Sequence, residues 1–129
     1  MGKVLLYSVP QEIHRKISDM CLTLNFEVKK IPKRRFLQPI GCHAGAPGYD
    51  NGITEQSDKD LDEPMLVFYE INDKKLDVFL AKYKANNIEP ISCKAIITKH
   101  NIDWNAYELY KELTREREAL KSIANIEKK

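Results

Sequence analysis

The chain has 129 residues, 43% hydrophobic and 31% charged, with a formal net charge of +2. That balance suits one compact domain able to bury a core without disulfides or a metal, and it excludes a disordered chain. No apolar run approaches the ~18 residues of a membrane span, and "MGKVLLYSVPQE" lacks the core and cleavage site of a signal peptide, so one cytoplasmic domain over residues 1–129 is expected, with no membrane contact.

"KVLLYSV" (3–9) is a nearly continuous apolar run and reads as a strand buried on both faces. Pro10 suits a first helical turn, and Ile13, Ile17, Met20 and Leu24 then recur along one stripe of a helix ending near Asn25. "FEVKKI" follows as a more polar edge strand, stopped by Pro32. Residues 36–63 read as a long Gly-rich and then acidic loop, with at most a short helix near 36–42. "MLVFYEI" (65–71) is the second continuous apolar strand. Asn72 can cap the next helix, whose buried stripe is Leu76, Phe79, Leu80 and Tyr83 and whose terminators are Asn86 and Asn87. "KAIIT" (94–98) reads as the fourth strand. A helix then starts near Asp103, carries Trp104, Leu109, Leu113 and Leu120 to its own sheet or to another subunit, and frays over 121–129.

An internal echo runs at a fixed offset of 62: "VLLYSVP" from Val4 lies over "LVFYEIN" from Leu66, and Tyr7, Asn25 and Glu27 match Tyr69, Asn87 and Glu89. Two strand-helix-strand halves with the first and third strands central are the logic of the ferredoxin-like split βαβ sandwich. We expect that α/β (α+β) fold, with an added C-terminal helix. A small doubly wound parallel sheet is the alternative, but it needs a crossover helix between the second and third strands.

From the third strand onward, "PMLVF", the helix behind it, "I-x-x-K-A-I-I-T" (91–98), and Asn101 with Trp104 three residues later resemble an uncharacterised bacterial family, domain of unknown function 3783. In that family a V-G-x-L-L-G-like stretch follows the second strand. Here "PIGCHAGA" keeps Gly41 and Gly45 and has Cys42 and His43 in place of the leucines. The resemblance implies a fold type and a bacterial cytoplasmic setting, and no chemistry.

The charges are unevenly placed: "KKIPKRR" (29–35) holds five basic residues and "EQSDKDLDE" (55–63) five acidic ones, blocks of opposite sign able to attract each other. Between them lie Gly41, Gly45, Gly48 and Gly52 and the adjacent Cys42 and His43. Neighbouring side chains rarely converge, so His43 is not expected to be the base for Cys42, and no His/Cys spacing matches a metal pattern. Cys21, Cys42 and Cys93 read as reduced thiols. The glycines form no phosphate-loop signature, which leaves a mobile loop or a weak anion nest. Tyr7, Phe68 and Tyr69 sit where RNA-recognition sheets place stacking rings, but the third strand lacks that motif's glycines and basic residues, so nucleic acid is not the expected partner.

The expectation from sequence is therefore a binding or regulatory module without catalytic residues, metal or cofactor. Its 36–63 segment would be the recognition element, as topology alone allows by analogy with nitrogen-regulatory P-II proteins. The alternatives are a small enzyme using Cys42 with a histidine supplied by folding, and an RNA-binding domain using 29–35. The residues expected at a ligand or partner surface are Lys33, Arg34, Arg35, Gly41, Cys42, His43, Gly45, His100 and Asn101, and homo-oligomerisation through the C-terminal helix is a further expectation.

Overall fold

The computed structural model describes residues 2–49 and 56–127, with side chains as far as 121. Its elements are β1 (Lys3–Tyr7), α1 (Gln11–Leu24), β2 (Glu27–Ile31), a 3-10 turn (Lys33–Arg35), α2 (Ile40–Ala44), β3 (Met65–Tyr69), α3 (Asp73–Ala85), β4 (Cys93–Ile96) and α4 (Ala106–Glu127). No described helix is long and apolar enough to cross a membrane.

The four strands form one open sheet in the order β2-β1-β3-β4. β1 pairs with β2 in parallel, β3 pairs with β4 in parallel, and the two halves meet through antiparallel β1 and β3. The central position of β1 and β3 agrees with their apolar runs. The ferredoxin-like order does not appear. In that arrangement each βαβ unit is split by a strand from the other half, whereas here each strand pairs directly with the strand its own helix leads to. The wholly parallel alternative is overturned by the β1/β3 pairing, which also removes any need for a crossover helix in 32–64.

The echo in the sequence is a backbone repeat. The left-handed residues Ser8 (φ 56°) and Glu70 (φ 57°) are 62 apart, as are Asn25 (φ 59°) and Asn87 (φ 53°). β1 and β3 start at Lys3 and Met65, and α1 and α3 at Gln11 and Asp73, again 62 apart. In the central ladder Leu5 pairs with Val67, its own equivalent, so a local two-fold axis passes between them. The repeat slips only after the second helix: β4 begins at Cys93, four residues beyond the position equivalent to the start of β2 at Glu27.

Both faces of the sheet are covered, which is why β1 and β3 read as unbroken apolar runs. Val4, Leu6, Leu66 and Phe68 face α1 and α3 and pack with Ile17, Phe79 and Tyr83. Leu5, Tyr7, Met65 and Val67 point the other way, onto Phe36, Ile40, Ala44, Leu61, Ala106 and Leu109. Each such side chain contributes about 2 kcal/mol by leaving water. The C-terminal helix thus lies on its own sheet, and Tyr7 and Phe68, at 0% and 1% exposure, have no surface on which a base can stack.

Candidate functional site

Residues 36–49, expected as a loop with at most a short helix near 36–42, are a packed part of the second layer with α2 at Ile40–Ala44. The N–H groups of Ile40 and Gly41 at the start of α2 donate to the carbonyls of Trp104 (2.8 Å) and Ile102 (3.0 Å), which ties the helix to the turn after β4. Gly41 has to be glycine for this approach, since a Cβ there would lie 2.8 Å from Ile102 and 3.0 Å from the Tyr49 ring. At the other end Gly45 (φ 71°) closes the helix in the left-handed conformation. The Lys3 ammonium donates to the Ala44 carbonyl (2.6 Å) and that of Lys29 to the His43 carbonyl (3.1 Å). Two cations thus complement the negative end of α2. The N–H groups of Gly41 and Gly45 are used within the chain, on the Ile102 and Cys42 carbonyls, and 50–55, with Gly52, lie outside the described chain.

His43 is 2% exposed and both its ring nitrogens are occupied. Nε2 is 2.7 Å from the Arg35 carbonyl, which only accepts, so Nε2 carries the proton. Nδ1 is then bare and accepts from the Tyr7 hydroxyl at 2.8 Å. Burial chiefly lowers the imidazole to about 4, with Arg35 and Lys29 adding repulsion, while the hydrogen bond to Arg35 acts in the opposite direction. Burial raises the Tyr7 phenol well above its ordinary value. His43 is therefore a neutral strut between β1, the 3-10 turn and α2, with no lone pair left for Cys42. Cys42 itself is 7% exposed, and the three cysteines form no disulfide. Among the described residues no group of three His, Cys, Asp or Glu side chains could hold a metal.

The basic and acidic blocks do meet. Lys33 lies 3.9 Å from Asp60, and the Ser57 N–H and hydroxyl donate to the carbonyls of Arg34 and Lys33. Farther along, the Leu61 N–H donates to the Ser8 hydroxyl (3.0 Å), which donates to Asp60 (3.1 Å), and the Tyr107 hydroxyl donates to the Lys59 carbonyl (2.6 Å). With Leu61 buried, residues 57–61 form a strap across the C-terminal ends of β1 and β2. Arg35 holds Gln38 (2.9 Å). Most of the basic block therefore makes internal contacts.

His100 and Asn101 lie at the opposite end of the sheet, because β4 runs antiparallel to β2. His100 is exposed, with its ring edge-on to Trp104 at 5.2 Å. Asn101 accepts from the Thr98 N–H (2.9 Å) and donates to the Ile96 carbonyl (3.1 Å). Neither Asn101 nor Asp103 caps α4. Asn105 does: it accepts from the Glu108 N–H (2.9 Å) while Glu108 accepts from the Asn105 N–H (3.1 Å), a capping box. The nine expected residues thus divide among a basic turn at one end, Gly41, Cys42 and His43 in the interior, and Gly45, His100 and Asn101 at the other end.

Sequence reasoning missed a second cluster. Arg117 forks onto Glu63, with Nη1 to Oε1 at 3.1 Å and Nη2 to Oε2 at 2.6 Å, and the Tyr110 hydroxyl donates to the same carboxylate at 3.0 Å. The Arg117 hydrogen bond, then that of Tyr110, holds Glu63 below its usual range, while burial first and Glu63 second push Tyr110 up to about 12. Cys93, raised mainly by burial, lies 4.0 Å from Arg117. Nothing in "REREALK" distinguishes Arg117 from solvated charges; only the return of α4 across β4 singles it out. Beside this clamp an open groove of about 400 Å³ separates Ser92 and Cys93 from Leu113, Glu116, Leu120 and Lys121. It adjoins the outer edge of β4, where Ser92, Lys94 and Ile96 are exposed.

Residues 64–120 match the family model described as Domain of unknown function (DUF3783), and that part of the chain is such a domain. The match takes in β3, α3, β4 and α4 as far as Leu120, and so includes the β4 edge and all of the groove's lining but Lys121. No curated protein and no solved structure matches the chain.

Proposed function

We propose that this chain, which carries a domain of unknown function 3783 across its second half, is a binding module that receives another polypeptide at the β4 edge and the groove beneath α4. One observation carries this reading: the two sheet edges are treated differently. β2 presents Glu27, Lys29 and Lys30 and stops at Pro32, the charged and proline-ended form that resists strand addition. β4 presents Lys94, Ala95 and Ile96 beyond the buried Cys93, a single charge, with Ile96 39% and Leu120 66% exposed beside it. Such an edge offers main-chain hydrogen bonds, and the groove offers a place for alternate side chains.

Within this reading the role is regulatory or adaptor-like, and the setting is the bacterial cytoplasm that the family resemblance implies. The neutral, doubly bonded His43 and the buried Cys42 weigh against the enzyme alternative. The test is selection from a displayed random-peptide library against the purified chain, followed by hydrogen exchange on the complexes. Selected peptides are expected to slow exchange at the Lys94 and Ile96 amides. Selection of nothing, or of peptides that protect only 33–45, overturns the proposal.

A further inference from the structure

We infer that the β4 edge binds an extended segment of another protein with an apolar–acidic–apolar alternation, the acidic side chain set opposite Lys94. The inference rests on the binding reading above and specifies its ligand.

The open stretch has defined limits. The Ile97 N–H donates inward to the Phe68 carbonyl (2.9 Å), so in this parallel ladder Cys93, Ala95 and Ile97 direct their backbone groups toward β3. Lys94 and Ile96 therefore direct theirs outward. At the far end the Asn101 carboxamide accepts from the Thr98 N–H and donates to the Ile96 carbonyl. These are the two groups that one residue of a parallel added strand would engage through its own carbonyl and N–H. The Asn101 carboxamide thus takes the place of that residue and stops the ladder, leaving, among the described residues, the Lys94 N–H, the Lys94 carbonyl and the Ile96 N–H for a partner.

The chemistry of the occupant follows from the side chains. Lys94 lies on the α3 face beside Leu80, and Cys93 lies on the α4 face beside Arg117. A partner residue opposite Lys94 also points to the α3 face, where a carboxylate completes a cross-strand ion pair. Its two neighbours point the other way, into the groove, onto Leu113 and Leu120, and are apolar. A second copy of this chain fits worse. A two-fold pairing that uses the whole stretch 92–96 is centred on Lys94 and sets two lysines directly opposite each other.

The experiment titrates the full chain with a short blocked peptide of alternating valine and threonine carrying one central glutamate, and with the same peptide carrying lysine instead. Hydrogen exchange at Lys94 and Ile96 is the readout. The glutamate peptide is expected to protect both amides and to bind about fivefold more tightly than its lysine counterpart. Lys94→Glu, an exposed change, is expected to reverse the preference. Asn101→Ala is expected to extend peptide protection to the Thr98 amide. Equal protection by both peptides overturns the acidic specificity while leaving the binding reading intact, and protection by neither overturns both. A concentration-dependent dimer that protects Lys94 and Ile96 without peptide overturns the inference in favour of a second copy.

Discussion

On one face of the sheet α1 and α3 lie as near equivalents, 14 and 13 residues long, each entered through a left-handed residue after its strand. On the other face the covering elements differ in kind: α2 has five residues and α4 has 22. The first face is joined by apolar burial between repeated positions. Ile17 and Phe79, 62 apart, are both fully buried in it. The second has an apolar core too, but adds polar contacts between residues distant in sequence, such as Lys3 with Ala44 and Tyr7 with His43. The repeated backbone unit accounts for the first face; the second is covered by what each half carries after its last strand.

The largest effect that sharpens this comparison is on the symmetric face. Phe79, edge-on to Phe68 at 5.1 Å, is fully buried, and Phe79→Ala is expected to lower unfolding free energy in urea by about 3–5 kcal/mol. Its counterpart Ile17→Ala should move the same single transition, and two separate transitions would show that the halves fold as independent units.

On the asymmetric face the expected signature is a pH dependence. Below an ordinary imidazole value of 6.5 the unfolded chain takes up a proton that the folded protein does not accept at His43 until about 4. Stability is thus complete above 6.5 and falls as pH drops toward 4, by about 3 kcal/mol over the whole span. Denaturant titrations across this range check it: His43→Gln should weaken the protein at neutral pH and remove that part of the slope, and an unchanged slope would mean His43 is not held neutral.

Smaller effects follow at the edges of the same face. Gly41→Ala forces a methyl toward Ile102 and Tyr49, and a thermal melt should register about 1–3 kcal/mol, with no loss if the turn after β4 can retreat. Lys33→Ala removes an ion pair whose side chains are 51% and 59% exposed, and should cost less than about 0.5 kcal/mol, less still in high salt. A larger loss would mean that the strap, not the buried polar contacts, holds this face.

The repeat was legible because it is written in local chemistry: two apolar runs, a helical stripe behind each, and Asn25 and Asn87 as terminators. The order of strands was not legible, since the same two βαβ units can pair side by side or interleave, and both place β1 and β3 in the centre. The candidate surface was only partly legible. Gly-rich text with Cys42 and His43 resembles a loop, and only the carbonyls of Trp104, Ile102 and Arg35, supplied from elsewhere, make it a buried helix.

The sequence by itself determined the four strands and the three longer helices, the repetition of two halves and the double burial of β1 and β3, because periodicity and capping act over a few residues. Tertiary structure alone decided that the halves meet antiparallel and that His43 is a neutral strut. It also decided that Arg117 grips Glu63 and that β4 lies at an edge of the sheet. Each of these depends on groups far apart in the chain, whose meeting is set by how the layers pack and not by any local pattern.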